Sequence, residues 1–396
     1  MKTTLSAVTS KIGSGATPRG GKSAYVDEGI AFVRSQNILD LSFSREGLAL
    51  IDDEQAEALK NVSVQLGDVL INITGDSVAR ATLWDSGVPA RVSQHVAIVR
   101  PIAELLDARF LQYLLVNPIM KSELLTMAAS GGSRPALTKG MLESLQVELP
   151  SLCAQHAIAE VLGALDDKIA ANRRVIDAGD ALIRALYSST PKASTGRTFA
   201  DVAAIGGGGT PSTKNSLYWD GAVGWATPTD VTGADGPWLA HTTRRISEEG
   251  LKNCASPLYP EGSILMTSRA TIGAVVVARK PMAVNQGFIV LNAVESEMQW
   301  WLESQLRART AEFETWANGA TFLEISRGTF KKLPVVECSP ENLGVFNRTA
   351  QSVRERQSSC QAENDRLART RDELLPLLMN GRITVNDAEG AVGDVV

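Results

Sequence analysis

The sequence predicts an α+β fold: two repeated globular units separated by two long antiparallel coiled-coil helices. Three observations predict it. Short β-branched or aromatic runs alternate with helical patches, the first half of the chain recurs in order in the second, and each half ends in an apolar stripe spaced alternately by four and three residues. At 396 residues the chain also exceeds the roughly 250–300 residues at which a single core stops growing, so two cores are expected.

The repeat is legible residue by residue. Ile12-Gly-Ser-Gly-Ala-Thr-Pro18 recurs as Ile205-Gly-Gly-Gly-Gly-Thr-Pro211, and at the same offset Phe32 falls on Trp225, Asn37 on Asp230 and Ile38 on Val231. Gly67-Asp-Val-Leu-Ile answers Gly262-Ser-Ile-Leu-Met, and Val92-Ser-Gln-His answers Val284-Asn-Gln-Gly, with small changes of offset that mark loop insertions. The halves close alike: Ser130-Gly-Gly-Ser with Leu137-Thr-Lys139 parallels Asn318-Gly-Ala-Thr with Ile325-Ser-Arg327, each followed by a strand-like run, Leu145 to Pro150 and Leu333 to Glu337. Strands are expected at Ile30–Val33, Asp68–Ile73, Val96–Val99, Ile264–Thr267, Ala274–Val277 and Gly287–Leu291. Helices are expected over Ala108–Leu125 and Glu297–Trp316.

The two stripes predict the long helices. Ile158, Leu162, Leu165, Ile169, Asn172, Ile176, Gly179, Ile183 and Leu186 form the first; Phe346, Ala350, Val353, Gln357, Cys360, Asn364, Leu367, Arg371, Leu374 and Leu378 form the second. Near-equal stripes in one chain have each other as the simplest partner, and buried Asn172 and Asn364 would then fix register. The plainer alternative is that each helix packs only on its own globular unit. The resulting organisation is residues 1–152, first globular unit; 153–190, first spacer helix; 191–338, second globular unit; 339–385, second spacer helix; and 386–396, a tail. Pro191-Lys-Ala-Ser-Thr-Gly196 is a short turn-rich link.

Composition narrows the function classes. An apolar fraction of 44% with 21% charged residues and a mean hydropathy of −0.02 describes an ordinary globular chain. The apolar runs fall short of the roughly 20 residues a bilayer needs and the polar start lacks a signal-peptide core, so no membrane and a cytoplasmic location are expected. Four scattered cysteines without a C-x-x-C pair suggest free thiols, and three histidines without helical pairing leave little for metal chemistry. The net charge of −5 argues against indiscriminate phosphate binding by this polypeptide alone, unless basic residues are concentrated on one face or a partner supplies the contacts.

Catalytic motifs fail on inspection. Gly15-Ala-Thr-Pro-Arg-Gly-Gly21-Lys22-Ser23 misses P-loop spacing by one residue, and its second copy, Gly209-Thr-Pro-Ser-Thr-Lys214, has no Gly-Lys pair. A turn whose backbone amides, with Arg19, Lys22 and Lys214 nearby, meet a DNA backbone is the better reading; its alternative is a plain structural turn. Ser-Gln-His95 has Asn285-Gln286-Gly287 as its counterpart, so a catalytic histidine would not explain both copies. Amide and basic side chains at equivalent places suit duplex readout, because Gln and Asn pair bidentately with adenine and Arg with guanine. The candidate DNA contacts are therefore Thr17, Arg19, Lys22, Arg34, Gln36, Asn37, Arg80, Gln94 and Arg134 in the first half. In the second they are Thr210, Ser212, Lys214, Thr229, Arg244, Arg269 and Gln286. No catalytic or metal-ligating residue is assigned.

This order of motifs (G-x-x-T-P turn, W/F-x-x-x-x-D/N segment, G-D-[IVL]-[IVL] strand, V-x-Q strand, long heptad helix, then all again) resembles the specificity subunits of Type I restriction-modification systems, over nearly the whole chain from Ser6 to Val385. The second half carries the likeness best: Thr210-Pro211-Ser212, Tyr218-Trp219, Trp225, Asp230 and the terminal Leu374-Leu-Pro-Leu-Leu-Met-Asn-Gly381-Arg-Ile. The first half departs from it at Arg19, at Tyr25 without a Trp partner, and at Asn37. The resemblance implies a non-catalytic, sequence-specific subunit of a phage-defence system, with two target-recognition domains on double-stranded DNA. It also implies partners: two adenine methyltransferase subunits carrying S-adenosylmethionine, and restriction/translocase subunits using ATP and Mg. No cofactor is expected in this chain itself. The other classes considered are a coiled-coil scaffold with two non-DNA binding modules, which the acidic charge favours, and a nucleotide enzyme, which only the near-miss glycine loop favours. If the helices act as a spacer, Ile158 to Leu186 rises about 42 Å, capping half-site centres near 12 base pairs apart. One duplex turn centre to centre leaves an unread gap of about 5–8 base pairs.

Overall fold

The computed structural model describes residues 1–130, 134–318 and 323–393. The paired turns at 131–133 and 319–321 that help mark the repeat lie outside the described residues. The chain divides into two units, Met1–Lys168 with Arg366–Val396, and Ile169–Asp365. Both divisions fall inside the long helices, Leu152–Ser189 and Pro340–Met379, so each helix contributes one stretch to each unit.

In the first unit Lys2–Thr4 pairs antiparallel with Gln146–Glu148. One sheet runs Thr9–Ser14, Val96–Pro101, Val69–Asn72, Ala81–Leu83; another runs Ala90–Val92, Ile30–Val33, Ala49–Ile51, Tyr25–Val26. The second unit repeats the plan. Ala193–Thr198 pairs with Pro334–Glu337, one sheet runs Ala203–Gly206, Phe288–Ala293, Ile264–Thr267, Val275–Ala278, Trp238–Leu239, and another runs Arg244–Ile246, Trp219–Ala226, Met282–Val284. Even the parallel registers agree: Phe32 lies opposite Arg91, and Trp225 opposite Ala283. Val69–Asn72 and Ile264–Thr267 are buried at every position, which is why they read as continuous apolar runs instead of alternating ones.

Local chemistry explains where the elements differ from expectation. The helix expected over Ala108–Leu125 is two, Ala108–Val116 and Pro118–Ala129. Pro118 disfavours a helical Asn117, and the Asn117 side chain instead caps the next helix by accepting from Ile119 N at 3.0 Å. Glu297–Trp316 likewise divides into Gln299–Ala308 and Thr310–Thr315. Residues 386–393, expected as part of a tail, lie in the helix Val385–Gly393. Its start is a reciprocal cap in which Asp387 accepts from Thr384 N at 2.8 Å and Asp387 N donates to Thr384 Oγ1 at 3.2 Å.

Most of each stripe is buried: Ile158, Leu162, Leu165, Ile169, Asn172, Ile176 and Ile183 on the first helix, and Phe346, Ala350, Gln357, Cys360, Leu367, Leu374 and Leu378 on the second, whereas Gly179, Leu186, Val353, Asn364 and Arg371 are half-buried. Within the second unit the helical stretches pack antiparallel. Asn172 Nδ2 donates to Asn364 Oδ1 at 2.9 Å and to Glu363 at 2.7 Å, Gln357 Nε2 donates to Ile176 O at 2.7 Å, and Arg354 pairs with Asp180. Ile183 and Tyr187 share a core with Phe346 and Ala350. Gly179 permits the approach, since a Cβ there would lie 2.8 Å from Gln357 Nε2 and 2.9 Å from Val353 Cγ1. In the first unit Arg371 donates to Asp166 at 2.6 Å. The four cysteines are unpaired, and no described helix is long and apolar enough to cross a membrane.

Candidate nucleic-acid interface

The turn shared by Gly15-Ala-Thr-Pro18 and Gly208-Gly-Thr-Pro211 is built by a close backbone approach. A Cβ on Gly15 would sit 1.9 Å from Val92 O, and one on Gly208 would sit 1.9 Å from Val284 O, so only glycine brings each loop down onto the end of the V-x-Q strand. Ala16 N then donates to Val92 O at 3.1 Å, and Gly209 N to Val284 O at 3.1 Å. One residue further on, the same side-chain bond appears twice: Thr17 Oγ1 donates to Gln94 Oε1, and Thr210 Oγ1 donates to Gln286 Oε1 at 2.6 Å. All four side chains belong to exposed residues. Each unit thus presents a fixed hydroxyl and amide on its surface.

In the first unit this bond continues into a relay. Gln94 Nε2 donates to His95 Nε2 at 3.0 Å, which leaves the imidazole proton on Nδ1 to reach Thr74 Oγ1 at 2.7 Å. Gly75 N donates to Pro135 O at 3.2 Å, placing exposed Arg134 beside the same loop. Half-buried Arg80 ends that loop; its side chain has no hydrogen bond or ion pair to a described residue. Arg19 is exposed on a segment fastened by Gln55, which accepts from Arg19 N at 3.1 Å and donates to Arg19 O at 3.1 Å. The side chain of Lys22 lies outside the described residues. Gly21–Ala24 form a 3-10 turn leading into the strand Tyr25–Val26, not the α-helix N-terminus that a P-loop requires.

Three candidates are occupied by the fold. Asn37 is fully buried: its Oδ1 accepts from Arg34 N at 3.0 Å and its Nδ2 donates to Ser44 O at 3.0 Å and Glu46 O at 3.2 Å. It closes a turn and presents nothing to a duplex, which corrects its assignment as a base reader. Arg34 Nη2 and Gln36 Nε2 both donate to Gly47 O, at 2.7 and 3.2 Å, holding the neighbouring loop. The counterpart of Asn37 does the same work. Asp230 accepts from Thr227 N and Thr243 N, each at 2.8 Å, and from both threonine hydroxyls. Burial alone would raise the Asp230 carboxyl, but those four hydrogen bonds hold it below the usual range.

The second unit carries an aromatic cluster that the candidate residues did not include. Trp219 and Trp225 meet edge to face with centroids 5.2 Å apart, fixed by Trp219 Nε1 donating to Ser212 O at 3.2 Å and Trp225 Nε1 to Gly209 O at 3.0 Å. The exposed Arg244 guanidinium lies 3.6 Å from the Trp219 ring centroid. Ser212 therefore contributes its carbonyl to the frame. Lys214 and Thr229 are exposed, and Arg269 is half-buried next to Gly287. The Tyr-Trp and Trp spacing marked this cluster in the sequence, whereas the stacking partner on a different strand was not visible there.

A family model described as Type I restriction modification DNA specificity domain matches residues 21–178 and again 191–336. The chain belongs to this family. Among its relatives, the Type I restriction enzyme HindI specificity subunit of Haemophilus influenzae is 22% identical over 436 aligned positions, covering 89% of this chain and 94% of the relative. The MjaIX specificity subunit of Methanocaldococcus jannaschii is 34% identical over 154 residues, and that match spans 38% of this chain and 35% of the relative's length. The fold is similar to the crystal structure of a Type I restriction-modification S subunit from M. genitalium, with a TM-score of 0.56 at 14% identity and coverage of 96% and 95% of the two chains. The two matched segments of the specificity domain coincide with the two copies of the Thr–Gln frame except for Thr17, which precedes the first segment.

Proposed function

We propose that this chain is the target-reading subunit of a Type I restriction-modification complex, each unit recognising one half of a bipartite duplex target. The observation that carries this reading is the duplicated surface: the same exposed Thr–Gln bond on the same glycine-dependent loop, surrounded in each unit by a different set of polar and basic side chains. Thr17, Arg19, Gln94 and Arg134 in the first unit, and Thr210, Lys214, Thr229, Arg244 and Gln286 in the second, are the contacts this reading assigns. Arg80 and Arg269 belong with them as half-buried members of the same loops.

Methylation of adenine from S-adenosylmethionine and cleavage driven by ATP are assigned to partner subunits, two methyltransferases and a translocating nuclease, in the cytoplasm. A net charge of −5 fits a protein that positions base readers while its partners supply much of the phosphate contact. Exchanging residues 199–338 for the same region of a relative with a different target tests the reading. Mapping methylated adenines should reveal a new second half-site beside an unchanged first one; a change in both halves would remove the two-reader model. Trp219→Ala should weaken binding of the methyltransferase complex to its target about 2- to 5-fold at fixed salt, by releasing Arg244 from an exposed cation–π contact. Unchanged affinity would take Arg244 out of the contact set.

A further inference from the structure

We propose that the two units tell their half-sites apart at one equivalent pair of positions: Thr74 with His95 in the first unit, and Arg269 with Gly287 in the second. The inference rests on the reading that the chain recognises DNA.

The equivalence follows from the backbone. Ile73 N donates to His95 O at 2.9 Å and Leu137 N to Ile73 O at 2.8 Å; in the second unit Ser268 N donates to Gly287 O at 2.8 Å and Ile325 N to Ser268 O at 3.0 Å. The next residues form matching isolated bridges, Thr74 with Ala136 and Arg269 with Glu324. Thr74 and Arg269 therefore occupy one place in the frame, and His95 and Gly287 another, each following the glutamine of the Thr–Gln bond. That bond is chemically identical in both units, so it positions the loop without distinguishing one sequence from another. Discrimination has to come from a neighbour that differs.

At this pair the two units exchange large for small. In the first, a short threonine accepts from a large imidazole at 2.7 Å, presenting both a donor and an acceptor. In the second, the absence of a side chain on Gly287 leaves space for the guanidinium: a Cβ there would stand 3.1 Å from Arg269 Nε and 3.2 Å from Pro228 Cγ. Arg269 is half-exposed and its side chain has no hydrogen bond or ion pair to a described residue. A guanidinium offers only donors, in the fork that matches guanine O6 and N7 in the major groove. The second half-site accordingly contains a guanine read by Arg269, and the first half-site carries no such requirement at the corresponding position.

The test uses the full chain in complex with its methyltransferase partner, measuring methylation over duplexes in which each base pair of the mapped target is varied. Arg269→Ala should reduce discrimination at one guanine of the second half-site by roughly 5- to 150-fold and leave every other position unchanged. Thr74→Arg with His95→Gly should create a guanine preference in the first half-site, with the second half-site serving as the internal control for folding. Arg269→Ala that keeps full discrimination everywhere, or that lowers methylation uniformly as loss of a phosphate contact would, overturns the assignment, as does a double variant that acquires no preference for guanine. A wild-type complex that methylates without sequence preference would instead remove the proposed function itself.

Discussion

Four residues inserted into each long helix, between Asp166 and Asn172 and between Asn364 and Arg371, are expected to widen the unread gap of the target by one or two base pairs and leave both half-sites unchanged. The insertion adds about 6 Å of helix and turns it about 40° beyond one full revolution, so the buried stripe stays nearly in phase. Both helices have to be lengthened together. Asp166 pairs with Arg371 on one side of the insertion, and Asn172 with Asn364 on the other. A single insertion after Ala171 would slide one of those pairs out of register, and where that pair is Asn172 with Asn364 it leaves the buried Asn172 amide unpartnered, at about 1–3 kcal/mol. Mapping the adenines methylated by the complex decides the matter: an unaltered gap would mean that the helices do not set the spacing.

Arg354→Met should be the most damaging conservative change in the second unit. Arg354 is 1% exposed and donates to Glu303, itself 0% exposed, at 2.9 and 3.0 Å, and it also pairs with Asp180 on the first helix. Removing one partner of a buried pair costs about 3–5 kcal/mol. For a unit of this size that lowers Tm by about 6–20 °C, read by thermal unfolding of the intact chain. Adding Glu303→Gln to Arg354→Met should recover part of the loss, because the buried carboxylate, left with Arg307 but without Arg354, is then neutral; a double variant worse than the single one would contradict the account. Burial alone would raise the carboxyl of Glu303, but Arg307 and Arg354 hold it below the usual range, and Arg354 does most to offset burial at Asp180. Groups with depressed values stabilise the fold above their unfolded range and lose that contribution as pH falls through the folded value. The second unit should therefore lose stability in acid, below the ordinary carboxylate range, and Arg354→Met should flatten that dependence.

Much of the architecture was legible before any coordinates. Gly15 and Gly208, Thr17 and Thr210, Gln94 and Gln286 recur in the same order because each unit has to build the same loop by the same backbone approach. The heptad rhythm marked Asn172 and Asn364 as a polar pair because periodicity places residues on one helix face, and such a stripe requires an opposing surface. The reciprocal Thr384–Asp387 cap is also written in the chain, but residues 339–385 read as one spacer helix followed by a tail, whereas the long helix ends at Met379 and the cap opens a new one at Val385.

What tertiary structure decided is which recurrent polar residues face outward. Asn37 and Asp230 recur at equivalent places as the Thr–Gln pair does, yet both are consumed in closing turns, since hydrogen bonds to residues distant in the chain cannot be inferred from spacing. Arg354, one residue beyond Val353 in the stripe, carries a charge that sequence reasoning places in solvent; the buried carboxylate that holds it lies on another helix, at Glu303. His95 and Gly287 had no apparent relation to Thr74 and Arg269 until the strands brought each pair together. The sequence by itself determined the duplication, the two long helices and the family resemblance, because these depend on order and local periodicity. The surface that differs between the units depends on side chains from separate segments meeting at one place, and only the folded chain could decide it.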